Sequence, residues 1–378
     1  MDNLKFTRAF VPPESIYFMT QAAQSDHLQG NGEFTKNCQD FFKRRHQCEA
    51  VFITPSCTHA LELAFLSMGV GSGDEVVMPS FNFTSAATAV TLFGATPVFI
   101  DIELGTGNLD VELIETAITP RTKAICWVNY GGLQPDLREI RRIAQKHSLF
   151  TVEDNAHGVM QDTNSIWSDF PDVSTFSFHA TKNIQCGEGG ALILRNPELC
   201  EIMHFIQEKG TNRLDFTKGR VEKYGWVSKG SSYLLSELNA AFLWGQIVNF
   251  DRIVTARRSQ FQQYEEFLLA IKGNHKFESL FVDTSNRTSA HFFPVITRNE
   301  TLRDEIIRFF QMSSIELTSH YLPLHNSKGG LKFGKISPDG CENSIDFSRR
   351  ILRFPLYSNP DSKIDRVLET LHRYLLEN

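Results

Sequence analysis

The chain has 378 residues, 41% of them hydrophobic, and a formal net charge of −6. That length suggests two domains or three, and the acidic balance without a basic run excludes a nucleic-acid footprint. Seven scattered cysteines with no C-x-x-C pair exclude a zinc site and a disulfide framework, and point to a reduced, cytoplasmic protein.

The opening "MDNLKFTRAFVPPES" has no apolar signal core, and no stretch reaches the roughly 18 apolar residues of a membrane span. Strand-like and helix-like runs then alternate. AVFIT (50–54) precedes THALELAFLSM (58–68), and DEVVMPS (74–80) precedes TSAATAVTLFG (84–94). TPVFIDI (96–102) precedes LDVELIETAI (109–118), and KAICWVNY (123–130) precedes DLREIRRIAQKHS (136–148). LFTVED (149–154), STFSFH (174–179) and GGALILR (189–195) complete the strands. Continuous apolar strands between amphipathic helices predict an α/β domain whose mostly parallel sheet is covered on both faces. After about residue 245 the texture changes. One long helix is expected over 248–271, then a strand in SAHFFPVIT (289–297), a helix over 302–314 and a last helix near 363–376. The expected division is a large domain over 1–248 and a smaller α+β domain over 249–378.

Ligands of such sheets gather at the carboxyl ends of the strands, and three places there carry chemistry. In ITPSCTHALELAF a helix begins near Thr58, so its free N–H groups and the Ser56 and Thr58 hydroxyls form either an anion site or a simple cap. In TVEDNAHG, Asp154 closes an apolar strand, either as a turn former or as a carboxylate that pairs with a ring nitrogen or a cation. His157 follows three residues on, either structural or catalytic, and no second ligand at metal spacing accompanies it. In TFSFHATKNIQCGEGGALIL, Lys182 lies between two apolar strands. It either snorkels to solvent, pairs with an acid such as Glu188, or is a desolvated amine suited to a Schiff base. A phosphate cradle, an acid at a strand end and a lysine, in that order on one sheet, are what pyridoxal 5′-phosphate (PLP) requires. Phe83, just past a strand, either stacks on the cofactor ring or packs in the core.

GDEVVMPSFNFTSAATAVTLFGATPVFIDIE (73–103), AITPRTKAI (117–125), VEDNAHG (152–158), FSFHATKN (176–183), GEGGALI (187–193) and HYLPLH (320–325) together resemble the DegT/DnrJ/EryC1/StrS nucleotide-sugar aminotransferases, a branch of the fold-type I PLP enzymes. The resemblance runs from about residue 10 to the C-terminus. TPSCT (54–58), EKGTNR (208–213) and the loop from Glu208 to Gln246 are similar to the branch that makes dTDP-4-amino-4,6-dideoxygalactose for enterobacterial common antigen.

The resemblance implies that Lys182 holds the cofactor aldehyde, Asp154 pairs with the pyridine nitrogen and Phe83 stacks on the ring. It also implies that Thr58, the backbone at His59 and Ser177 hold the phosphate, with His157 near the ring oxygen. It implies a homodimer with active sites at the interface. Where family members carry an asparagine in the partner-subunit loop, this chain has Leu234, so Ser231, Ser232 or the backbone takes its place. The implied reaction passes the amino group of L-glutamate to C4 of a nucleotide-diphospho-4-keto-6-deoxy sugar, dTDP-4-keto-6-deoxyglucose above all. The alternatives are a 3-keto or a UDP-4-keto sugar, or a non-catalytic binding protein of the same fold. Lys182 argues against the family's histidine-bearing dehydratases, and His179 resembles the 4-aminotransferases. Arg213, Lys218, Arg220, Tyr224 and Trp226 are either a groove for the nucleotide or a solvated loop. His320, Tyr321 and His325 either close over the sugar or form a packed turn around Pro323.

Overall fold

Short apolar runs make one large sheet because helices cover both of its faces. The computed structural model describes residues 3–158, 170–270, 277–278, 288–360, 362 and 364–377. Its strands are β1 (Ala50–Thr54), β2 (Glu75–Pro79), β3 (Thr96–Ile100), β4 (Thr122–Val128), β5 (Phe150–Asp154), β6 (Val173–Ser177), β7 (Gly190–Leu194), β8 (Phe277–Glu278), β9 (Phe293–Thr297), β10 (Lys335–Ile336) and β11 (Ile351–Phe354). The large sheet has eight strands in the order β1-β7-β6-β5-β4-β2-β3-β10. The run from β6 to β10 is parallel, while β7 is antiparallel to both β6 and β1.

Alternating side chains feed two different cores, as the two-residue period of a strand requires. Val76, Met78, Ala124 and Cys126 pack with the helix Cys57–Ser67, while Val77, Ile125 and Trp127 pack with the helix Leu137–His147 on the opposite face. This two-sided burial is the physical reason the strands read as unbroken apolar runs. A third core forms around β1 and β7, where Phe42, Phe176, Phe178 and Ile193 meet.

The smaller sheet, in the order β11-β9-β8, is antiparallel. It carries the helices Glu300–Met312, Glu342–Arg350 and Asp365–Glu377. The long helix expected over 248–271 is present as Phe250–Ala270, and a separate helix, Glu237–Val248, precedes it. Asn249 breaks the run with ψ 14°, its amide bridging Gly245 O and Glu14 Oε2, each at 3.0 Å. The helix expected over 109–118 is a single 3₁₀ turn, Val111–Leu113, and four α-helical residues, Ile114–Ala117.

Two segments cross between the two sheets. β10 pairs with β3 on the edge of the large sheet, with Lys335 opposite Val98 and Ile336 opposite Phe99. Leu4 forms a bridge to Ile315, and Leu4 and Phe6 pack against the core of the smaller sheet. These crossings bring residues of both parts to one cleft at the carboxyl ends of β5 and β6.

Candidate active site

The cleft is a cavity of about 460 Å³. Lys182, Asp154, His157, Thr58, Ser177 and Phe83 all line it, as do His320 and Tyr321. Each arrives there for a local reason. Asp154 is the last residue of β5 and Ser177 the last of β6. Lys182 lies in the connection from β6 to β7, where its N–H donates to His179 O at 2.9 Å.

Ser56 caps the helix Cys57–Ser67, its Oγ accepting from the His59 N–H at 3.1 Å. The cap is therefore Ser56, which leaves the Thr58 hydroxyl to meet Ser85 Oγ at 2.8 Å on the cavity wall. The His59 N–H, expected at a phosphate, is already engaged by the cap, and its ring turns to Ser56 Oγ at 2.9 Å and to Tyr233. The remaining N–H groups of the first turn and the positive end of the helix make an anion site. Gly190 permits this arrangement, because a Cβ there would stand 2.4 Å from Ser56 C and 2.5 Å from Cys57 N.

Asp154 is 4% exposed, and its contacts fall on one oxygen. Oδ1 accepts from the Ala156 N–H at 3.2 Å and from Cys57 Sγ at 3.9 Å. Burial raises its pKa from 3.8 to about 6, against the pull of the Ala156 hydrogen bond and the Lys182 charge. Such a carboxylate suits a ligand that brings a proton or a positive charge. Burial lowers the Lys182 amine from 10.5 to about 8; Cys57 and Asp154 oppose the shift and the Arg353 charge adds to it. Among the described residues Lys182 makes no ion pair. Glu188, an alternative partner, instead faces His179 Nε2 at 3.6 Å. A lysine brought toward neutrality can act as a nucleophile and a base.

Phe83 is 56% exposed at the cavity rim, beside Tyr321, so its ring is free to stack rather than locked in a core. Behind it stands a pile of rings. Tyr321 and His320 stack at 3.8 Å between centroids, His320 and His157 at 6.0 Å, and His157 and His291 at 4.6 Å. Burial drives the proton affinities of His157, His291 and His320 well below the usual histidine value, which favours the neutral imidazole in each.

Other expected residues lie elsewhere. His325 is buried against Ser80, with Oγ and Nδ1 2.5 Å apart, and does not line the cavity. Arg213, Lys218, Arg220, Tyr224 and Trp226 do not line it either. They belong to a projecting loop in which Trp226 is 83% exposed and Arg220 pairs with Asp215 at 3.3 Å. Ser231 and Ser232 are exposed at the base of that loop, and Leu234 is half-buried beside Gly30. Arg353, His291, Asn82 and Cys57 line the cavity without having been expected there. Arg353 carried a legible signal, a charge inside the apolar run ILRFPLY.

A softened lysine, a buried acid, a helix start and an exposed aromatic, on a sheet of this topology, define a fold-type I PLP-dependent transferase. The residues fit the cofactor, since among the described residues the hydrogen bonds of Asp154 fall on Oδ1 and leave Oδ2 to a ligand, and the helix start is open to an anion. Residues 13–372 match the DegT/DnrJ/EryC1/StrS aminotransferase family, and the chain belongs to it. It is a PLP-dependent aminotransferase. The spore coat polysaccharide biosynthesis protein SpsC of Bacillus subtilis (strain 168) is 31% identical over 388 residues, which cover 97% of this chain and 96% of that protein. DesV of S. venezuelae, solved in complex with a ketimine intermediate, is 26% identical with a TM-score of 0.83, covering 96% of this chain and 94% of that one. The PMP form of Spr1654 from Streptococcus pneumoniae superposes with a TM-score of 0.88 at 22% identity, covering 100% of this chain and 98% of that one.

Proposed function

We propose that the enzyme transfers the amino group of L-glutamate to C4 of a nucleotide-linked 4-keto-6-deoxy sugar, with dTDP-4-keto-6-deoxyglucose giving dTDP-4-amino-4,6-dideoxygalactose. The observation that carries the chemistry is the Lys182 amine, lowered to about 8 and facing the same cavity as Asp154. The role of the relative SpsC in polysaccharide biosynthesis supports a sugar acceptor.

The cofactor, when bound, supplies an electron sink for the carbanion that forms on the amino-bearing carbon. Lys182 would hold the cofactor's aldehyde and, as a free amine, would move the proton at the glutamate Cα. A base near neutral pKa serves both directions of that transfer. Asp154 would keep the ring nitrogen protonated. Ser56, Thr58, Ser85 and Ser177, all on the cavity wall, would hold the phosphate, and Phe83 would cover the ring. His320 and Tyr321 face the acceptor sugar.

The reading includes a homodimer in which the projecting loop, with Tyr224 and Trp226 exposed, reaches the partner's site. It also includes a PLP-binding domain over 1–248, a smaller domain over 249–378 and a cytoplasmic location. Among the described residues no helix is long and apolar enough to cross a membrane.

The test is product identification by NMR after incubation with PLP, L-glutamate and dTDP-4-keto-6-deoxyglucose. An axial 4-amino group is expected. An equatorial one moves the enzyme to another product. No product, with glutamate still converting the cofactor to its amine form, refutes the named acceptor.

A further inference from the structure

We propose that Arg353 anchors a carboxylate of the amino-acid donor, an inference that rests on the aminotransferase reading above and adds the donor subsite to it. β11 carries Arg353 between Leu352 and Phe354, which are buried in the core of the smaller sheet. Arg353 is itself 8% exposed, yet it lines the cavity that holds Lys182. Among the described residues of that lining, these two are the only lysine or arginine.

The guanidinium is built in rather than adrift. It lies over the rings of Phe6 at 4.8 Å and Phe292 at 5.1 Å. Nη2 donates to Thr318 Oγ1 at 2.7 Å and to Ser319 O at 3.0 Å. Nε is buried with no acceptor. No carboxylate among the described residues lies within ion-pair distance. Glu316, also on the cavity wall, accepts from the Phe6 N–H at 3.2 Å instead. A buried cation without a counter-ion is costly, and an anion delivered by a ligand offsets that cost.

The chemistry of the anion follows from position. The planar fork of an arginine matches a carboxylate. The α-carboxylate of an amino acid is one bond from the carbon that reacts at Lys182, so it must enter this same cavity. The diphosphate of the acceptor sits on C1, across the sugar ring from C4, and so lies farther from the reacting lysine. The cofactor phosphate has its own place at the start of the helix Cys57–Ser67 on another wall. When Lys182 is linked to the cofactor, Arg353 is, among the described residues, the remaining lysine or arginine of the lining.

The test uses PLP-loaded wild type, Arg353→Lys and Arg353→Met. Conversion of the cofactor to its amine form is followed by absorbance with L-glutamate, with L-alanine and with dTDP-4-amino-4,6-dideoxygalactose. Cofactor affinity is measured separately by titrating the apoprotein with PLP. The concentration of glutamate giving half-maximal conversion is expected to rise about 100-fold in Arg353→Met, the usual weight of a charge-assisted contact, and less in Arg353→Lys. Conversion by the amino sugar and the affinity for PLP are expected to stay within about threefold. A parallel loss with L-alanine assigns the α-carboxylate, and a loss confined to glutamate assigns the side-chain carboxylate. An unchanged glutamate response, an equal loss with the amino sugar, or weakened PLP binding overturns the proposal. If wild type ignores the amino sugar but responds to glutamate, the named sugar is wrong, and the glutamate and PLP measurements still decide Arg353. If Arg353→Met does not fold, Arg353→Lys decides.

Discussion

Replacing Asp154 by asparagine keeps the shape of the side chain and removes its charge. The acid is 4% exposed, and burial raises its pKa from 3.8 to about 6. In the cofactor-free protein the sign follows from proton counts. Between about pH 4 and pH 6 the folded state holds a proton that the unfolded chain has released, so stability falls as pH rises through that window and stays lower above it. A shift of about two units corresponds to about 3 kcal/mol at pH 8. Asparagine carries no such penalty and can keep the contacts that Oδ1 makes with Ala156 and Cys57. Cofactor-free Asp154→Asn is therefore expected to exceed wild type in urea midpoint at pH 8, with the gap closing toward pH 4. With PLP bound the effect reverses. The variant loses a buried charge-assisted hydrogen bond to the ring nitrogen, about 2–3 kcal/mol, and turnover falls by roughly 30- to 150-fold. Urea unfolding followed by circular dichroism at several pH values measures the first effect, and glutamate half-reaction kinetics the second. A stability gap independent of pH would refute the burial argument. A loaded variant with wild-type kinetics would remove Asp154 from the site.

Lys182→Ala is expected to lose turnover and the visible band of the lysine-linked cofactor while keeping its circular dichroism spectrum, and retained transamination would contradict its role. Because burial lowers the Lys182 amine to about 8, the neutral, reactive form grows as pH rises toward that value. The rate of covalent PLP loading should accordingly climb between about pH 6 and 8 and then level, whereas a lysine near 10.5 would keep climbing beyond pH 9. Gly190→Ala places a Cβ 2.4 Å from the Ser56 backbone and forces β7 away from the helix start. PLP affinity should fall at least about tenfold, as a PLP titration would read. Glu237 accepts from the N–H groups of Gly32, Phe34 and Thr35 at 3.0, 2.8 and 3.1 Å. Glu237→Gln puts an amide donor among those donors and should cost about 2 kcal/mol in urea unfolding with little change in donor kinetics.

Residues close along the chain were legible because their causes are local. Strand and helix periods are local, and so the alternation from Ala50 to Leu194 emerged as a mostly parallel sheet covered on both faces. A lysine between two apolar strands, an acid at a strand end and a serine before a helix each advertise a strand terminus. The structure does bring Lys182, Asp154, Thr58 and Ser177 to one cavity. The choice between readings needed burial. Ser56 rather than Thr58 caps the helix, Phe83 is exposed at the rim rather than sunk in a core, and Glu188 faces His179 rather than Lys182.

What lies far apart along the chain was decided by the tertiary structure alone. No period links Arg353 or His291 to Lys182; the packing of the smaller sheet against the larger one does, through Phe6, Phe292 and the stacked histidines. The placement of β10 beside β3 is likewise long-range, since two residues carry no strand signal of their own. His325 sits in the same short motif as His320 and Tyr321, yet Ser80 holds it away from the cavity. Sequence by itself determined the type of sheet and the chemistry available at its strand ends. Side-chain packing between the two parts of the chain decided which charges lost their water, and hence which of them can act on a cofactor and its substrates.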